Sequence, residues 1–202
     1  AYTAGMQIGQ RVGGDMIKMI NRQLFGNDST QSLSKENFLA GFFAALDDKA
    51  LASIDSASTY VNTKAEEIRT KAIEAQYADY KKENEAFLAE NKSKEGVKTT
   101  ASGLQYKVIT EGKGEVPTAE SRVKVNYKGT LIDGTEFDAR EGMTFSAGHV
   151  IKGWTEALTM MPVGSKWELY VPQELAYGSS ATGKIKPFST LIFEIELLEI
   201  EK

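Results

Sequence analysis

The chain has 202 residues, 41% hydrophobic and 26% charged, enough for one large domain or two small ones with cores of their own and too apolar for a disordered segment. A formal net charge of -4 with no basic cluster argues against nucleic acid or an anionic membrane as the main partner. Without cysteine, thiol chemistry, disulfides and thiolate metal sites are excluded. The lone histidine, His149 between Gly148 and Val150, reads as a loop residue and leaves no His-rich zinc site.

The first stretch, AYTAGMQIGQRVGGDMIKMINRQLFG, carries Tyr2, Met6, Gly9, Gly13, Met16, Ile17, Ile20 and Leu24 at helical spacing. Gly5, Gly9 and Gly13 recur on one face, where another backbone can approach closely. After a loop, GNDSTQS, a second helix is predicted in LSKENFLAGFFAALDD, with Ser34 as N-cap and Phe38, Leu39, Phe42, Phe43 and Leu46 on one side. Two short helices make a thin core. Their methionines and phenylalanines point to a homodimer through residues 1–55, the alternative being an intrachain bundle with the helix that follows.

Neither glycine nor proline occurs between Gly41 and Gly96, and residues Ser56 to Glu95 are rich in Ala, Glu and Lys. This composition predicts one continuous helix, a spacer that at about 1.5 Å per residue reaches roughly 60 Å. Val61, Ala65, Ile68, Ala72 and Ala75 form a stripe, and the phase then slips to Tyr77, Tyr80, Asn84 and Phe87. The first half is expected to be docked and the second, with KKENE, to be mostly solvated. The domains expected are therefore a helical unit over 1–55, a connecting helix over 56–95 and a sheet domain over 96–202.

From Gly103 the pattern alternates, with strands predicted in Leu104 to Ile109, Arg122 to Leu131, Met143 to Phe145, Lys166 to Val171 and Thr190 to Ile200. Asp133-Gly134 marks a hairpin that turns Thr135 to Phe137 back beside the preceding strand. A single helix is predicted over Gly153 to Met161, stopped by Pro162, so the expected architecture is α+β: about five antiparallel strands curved around one short helix. Phosphate-loop, dinucleotide, nucleophile-elbow and calcium-loop motifs are all missing, and no cofactor is expected. What gathers at element ends is aromatic: Tyr127, Phe137, Phe145, Trp154, Tyr177 and Phe193, with Asp138 and the Tyr177 hydroxyl as polar companions. Periodicity alone places these rings in a core; as a set they also suit a pocket for a hydrophobic segment.

The blocks VNYKGTLIDGTEFDAR, VIKGWTEALTMMPVGSKWELYVPQELAYG and STLIFEIELLEIEK resemble, in order and at family spacing, the FKBP family of peptidyl-prolyl cis-trans isomerases from about Gly103 onward. The segments GMQIGQRVGGDM and FLAGFFAAL with the long helix further resemble its dimeric bacterial branch, which includes the macrophage infectivity potentiator proteins. The resemblance implies Trp154 as the floor under a substrate proline ring, with walls from Tyr127, Phe137, Val150, Ile151 and Phe193. It implies that Tyr177 donates to a substrate carbonyl, that Asp138 lies at the pocket edge, and that Phe145 and Ile185 make further contacts. Leu175, Lys186 and Arg140 depart from the family pattern around the rim, where substrate preference is set. The partners implied are proline-containing polypeptides and rapamycin-type macrolides, and the activity is an isomerase with a chaperone role in the dimer; a non-catalytic chaperone or binding module is the alternative.

No run of about 18 apolar residues is present, so no transmembrane helix is expected. A start at Ala1 without methionine fits a processed export signal and a trimmed sequence equally. With the resemblance, it leads to the expectation of a periplasmic or cell-surface protein, cytoplasm being the alternative.

Overall fold

A computed structural model of the chain describes residues 1–25, 30–51 and 53–201, so the first four residues of the predicted loop after the first helix lie outside the described residues. The chain divides into two compact units, Ala1–Ala72 and Ile73–Lys202.

The first unit is helical. Helix α1 (Tyr2–Arg11) continues through a π-helical turn, Val12–Met16, into α2 (Ile17–Phe25). The widened turn falls on Gly13-Gly14, the pair with the weakest helix propensity in the segment. Among the described residues nothing lies within 4 Å of a methyl added at Gly5 or Gly9, and one at Gly13 meets only Lys35 Cε at 4.0 Å, so the predicted glycine row is largely open. Helix α3 (Lys35–Leu46) begins at Ser34, whose hydroxyl accepts from the Asn37 amide at 3.2 Å, the N-cap read from the sequence.

Where one helix was predicted, two form: α4 (Ile54–Gln76) and α5 (Ala78–Asn91). Tyr77 leaves the helical region at φ −109°, ψ 18°, at the residue where the apolar phase slips. Burial departs from the expectation at particular residues, although Lys82, Glu83 and Glu85 of α5 are exposed as expected. In α4, Val61 is 43% and Ile68 41% exposed, whereas Asn84 and Asn91 of α5 are 2% and 1% exposed. The Asn84 Oδ1 accepts from the Thr190 amide at 2.7 Å, and Asn91 Nδ2 donates to Gln105 Oε1 at 3.0 Å. Gln105 in turn donates to the Leu88 carbonyl at 2.9 Å. Helix α5 therefore belongs to the second unit, held by hydrogen bonds that a hydrophobic stripe does not reveal.

Among the described residues the second unit contains a six-stranded antiparallel sheet in the order β1-β2-β5-β6-β3-β4. The strands are β1 (Val97–Thr99), β2 (Gln105–Thr110), β3 (Arg122–Leu131), β4 (Glu136–Ser146), β5 (Lys166–Val171) and β6 (Leu191–Glu201). The short edge strand β1 was not predicted, and the segments expected around Phe137 and Phe145 are two ends of one long strand, β4. The hairpin forms as expected, closed by the Leu131 amide donating to the Thr135 carbonyl at 2.9 Å. Alternation along β6 turns Leu191, Phe193, Ile195 and Leu197 inward. They pack with Leu104, Val123, Val125, Leu169 and Val171 against helix α6 (Lys152–Leu158), whose Trp154, Ala157 and Leu158 are buried.

Candidate functional site

Two local features aim side chains at the space between α6 and the sheet. The first is a bulge in β4: Gly129 pairs with Asp138 but Thr130 with Glu136, so Phe137 is an extra residue. Consecutive strand residues normally face opposite sides; the bulge breaks that alternation, and Phe137 and Asp138 both line the same cleft. The second is Gly153. A methyl there would lie 2.5 Å from Val171 Cγ1, so only glycine lets α6 sit this close to β5 and seat Trp154 over the sheet.

The cleft has a volume of about 370 Å³. All ten residues singled out from the sequence line it: Tyr127, Phe137, Asp138, Phe145, Val150, Ile151, Trp154, Tyr177, Ile185 and Phe193. Burial orders them by depth. Trp154 is 4% and Phe193 5% exposed at the bottom, and Tyr177 is 39% exposed at the mouth. Three rings meet Trp154 edge-on: Tyr127 at 5.1 Å, Phe193 at 5.2 Å and Phe145 at 5.6 Å between centroids. Phe137 meets Phe193 in the same way at 5.5 Å. Such edge-to-face pairs contribute about 0.5–1.5 kcal/mol each beyond burial, so the aromatic bowl is set before any ligand enters. Core filling and pocket lining, alternatives on sequence alone, are two sides of the same rings.

Polar groups are few. The Tyr127 hydroxyl donates to Asp138 Oδ2 at 2.6 Å. Burial, and then the adjacent Asp138 carboxylate, push the Tyr127 phenol up to about 12, so it remains a donor at any physiological pH. Arg140 Nη1 lies 3.6 Å from Asp138 Oδ1 with both side chains solvated, a weak pair at the rim. Asp138 thus accepts from Tyr127 on Oδ2 and faces the Arg140 guanidinium with Oδ1. Among the described residues the Tyr177 hydroxyl has no partner in the chain. His149 lies in the turn before α6, with Nδ1 3.0 Å from Ser146 Oγ, and is outside the cleft.

Thr182, Gly183 and Lys184 also line the cleft and were missed by sequence reasoning. They form the tip of a small bridge in which Thr182 and Ile185 exchange backbone hydrogen bonds at 3.0 and 2.8 Å, and Lys184 Nζ donates to the Glu136 carbonyl at 2.9 Å. The Thr-Gly dipeptide is the turn signal that marks this tip in the sequence.

A rigid aromatic bowl with an unpaired hydroxyl at its mouth and a carboxylate held by Tyr127 at its edge suits a compact apolar group carrying a hydrogen-bond acceptor. Comparison with known proteins gives the family. Residues 113–198 match the FKBP-type peptidyl-prolyl cis-trans isomerase family, and residues 1–108 match the domain amino terminal to FKBP-type peptidyl-prolyl isomerase. A relative from Escherichia coli K12, the FKBP-type 22 kDa peptidyl-prolyl cis-trans isomerase, is 42% identical over 99% of this chain and 93% of its own length. The Outer membrane protein MIP of Legionella longbeachae is 47% identical over 72% of this chain and 59% of its own. Among solved structures, FkpA from Escherichia coli covers 99% of this chain and 94% of its own, with a TM-score of 0.62 and 34% identity. A peptidyl-prolyl cis-trans isomerase from Pseudomonas syringae covers 62% of this chain and 96% of its own, with a TM-score of 0.60 and 41% identity. The chain belongs to the FKBP-type peptidyl-prolyl cis-trans isomerases. It is an enzyme that assists protein folding by turning X-Pro bonds.

Proposed function

We propose that the X-Pro bond of a polypeptide client isomerises in this cleft, with the proline ring on Trp154 and the walls formed by Tyr127, Phe137, Phe145, Val150, Ile151, Ile185 and Phe193. The observation that carries the reading is the convergence of these side chains, drawn from β3, β4, α6, β6 and the two loops that hold Val150 and Ile185, on one apolar bowl. Amide resonance holds the bond planar behind a barrier of about 18–20 kcal/mol, and no covalent bond to carbon need change for it to turn. At the twisted midpoint resonance is lost, the nitrogen pyramidalises, and the carbonyl loses the charge that water would solvate. A dry aromatic bowl therefore holds the twisted form better than the planar one, which is catalysis by differential binding. Tyr177 donates its hydroxyl to a client carbonyl and sets the chain's direction across the mouth. Asp138, held by Tyr127, faces the amide dipole as a charge and exchanges no proton. Rapamycin-type macrolides that bury a proline-like ring compete for the same bowl.

The architecture serves this chemistry as a dimerisation unit over residues 1–55, a connecting segment over 56–95 and an isomerase domain over 96–202, with α5 at the end of the connecting segment docked on the isomerase domain. Dimerisation is supported by the first unit itself, where Met6, Ile8, Met19, Phe43 and Leu46 are all more than half exposed and few described side chains are buried. A second copy covers that face, and two clefts on one dimer hold a client between them as a chaperone does. Among the described residues no helix is long and apolar enough to cross a membrane. The similarity to a protein named an outer membrane protein supports the periplasm or cell surface over the cytoplasm.

The test is exchange of a short Phe-Pro peptide measured by NMR, with wild type beside Trp154→Ala and Asp138→Ala, each checked for folding by circular dichroism. Wild type should speed exchange, and both folded variants should be clearly slower. Wild-type exchange that survives both substitutions unchanged rejects the cleft as the catalytic site.

A further inference from the structure

The mouth of the cleft is tied to α5 by contacts that the isomerisation reading above does not use. Asn84, 2% exposed, receives the Thr190 amide on Oδ1 at 2.7 Å and donates from Nδ2 to the Tyr80 carbonyl at 2.8 Å, so both ends of its amide are engaged. The Tyr80 hydroxyl lies 3.0 Å from Ser189 Oγ, and Ser189 Oγ donates its only proton to the Lys186 carbonyl at 2.8 Å. The Tyr80 hydroxyl is therefore the donor to Ser189. Two crossed cation–π contacts reinforce the seam: Lys81 Nζ is 5.1 Å from the Phe188 ring, and Lys186 Nζ is 5.2 Å from the Tyr80 ring.

What α5 holds in this way is a strained segment. Phe188 sits at φ 63°, a left-handed conformation disfavoured for a bulky residue, and is nonetheless 3% exposed. Its amide donates to the Gly178 carbonyl at 2.8 Å, one residue from Tyr177, and the segment begins one residue after Ile185. Two cleft residues thus hang from a loop whose uncommon backbone is secured by Tyr80 and Asn84.

We propose that Tyr80 and Asn84 are positioning residues for isomerisation: α5 holds Lys186 to Thr190 so that Tyr177 stands at the mouth and Ile185 in the buried wall, and the helix works as part of the catalytic domain. The proposal rests on the reading that Tyr177 meets the substrate. Asn84→Ala removes both hydrogen bonds and should lower kcat/KM on a Phe-Pro peptide by about fivefold or more, the equivalent of about 1 kcal/mol for one hydrogen bond. Asn84→Asp provides a readout that a merely structural role would not move. The protonated carboxyl can both donate to Tyr80 and accept from Thr190, so its activity relative to wild type should recover as the pH falls. Tyr80→Phe keeps the ring under Lys186 and loses only the hydroxyl; it carries the test if Asn84→Ala does not fold, with a smaller drop in the same direction.

The full-length variants are compared with Tyr177→Phe in a double-mutant cycle, with near-ultraviolet circular dichroism reporting the fold. Loss by each single variant with little further loss in the double supports the proposal, because the α5 contacts then act through Tyr177. Folded Asn84→Ala or Tyr80→Phe with wild-type kcat/KM, or losses that simply add, overturns it. A neutral Tyr177→Phe overturns instead the reading of Tyr177 on which it rests.

Discussion

Gly129 lies behind the aromatic wall, and Gly129→Ala converts that position into a measurement. A methyl built there falls 2.6 Å from Cε2 and Cζ of Phe137 and 2.9 Å from Cε1 of Phe193. Carbon contacts settle at about 3.5–4.0 Å, so Phe137 must move by roughly 1 Å and Phe193 by somewhat less. Phe193 cannot easily retreat: it is 5% exposed, and Trp154 stands 5.2 Å from it. Phe137 has open cleft on one side and is expected to swing into it, narrowing the bowl. Overpacking of this kind costs about 1–3 kcal/mol of stability, and a misplacement of about 1 Å in a site can cost on the order of a hundredfold in rate. Urea unfolding should show the stability loss, and kcat/KM on a Phe-Pro peptide should fall by at least about tenfold within that ceiling. Gly14→Ala, where the added methyl meets nothing within 4 Å among the described residues, is the control and should leave peptide activity unchanged. A Gly129→Ala variant that keeps both stability and activity, or loses stability alone, refutes the account of how this wall bounds the cleft.

Other expectations follow from the same geometry. The Tyr127 phenol titrates near 10 in the unfolded chain and at about 12 in the fold, so the folded state keeps a proton that the unfolded state loses. Its contribution to stability is fully present below pH 10 and is lost as pH rises toward 12; urea titrations over that window should fall less steeply for Tyr127→Phe than for wild type. Removing residues 1–72, the first compact unit, should yield a monomer by analytical ultracentrifugation that retains peptide isomerisation while acting poorly on a whole unfolded protein. Equal loss on both substrates rejects this division of labour. Removing residues 1–90 takes Tyr80 and Asn84 as well and should lower peptide activity too.

The parts of the fold that were legible in the sequence are those written in hydrophobic periodicity and turn chemistry. Strands β3 and β5 keep the bounds read from RVKVNYKGTL and KWELYV, because Val123 and Val125, and Trp167, Leu169 and Val171, recur at every second residue and are buried. The docking of α5 was not legible. Asn84, Asn91 and Tyr80 are polar or amphipathic, and a residue buried by hydrogen bonding to a distant strand looks the same in sequence as one facing water. Nor was the unity of β4, whose two register shifts, one between the partners of Val125 and Tyr127 and one at Phe137, break the alternation that marks a strand. The ten cleft residues were found through the family blocks; periodicity alone would have left the rings in the core. Thr182 to Lys184 carry no hydrophobic signal and enter the cleft only because the bridge to Ile185 folds them over it.

The chain's two tryptophans allow the most direct test of the central claim. Trp154 lines the cleft, while Trp167 is stacked on Tyr106 at 4.6 Å between centroids and does not. In nitrogen-15-labelled protein each indole gives its own resonance, and a Phe-Pro peptide can be titrated while its cis-trans exchange is followed in the same samples. The account predicts accelerated exchange together with a saturable shift of the Trp154 indole signal and an unmoved Trp167 signal. Accelerated exchange with Trp154 unmoved would contradict it, because the bond would then be turning somewhere other than this aromatic bowl.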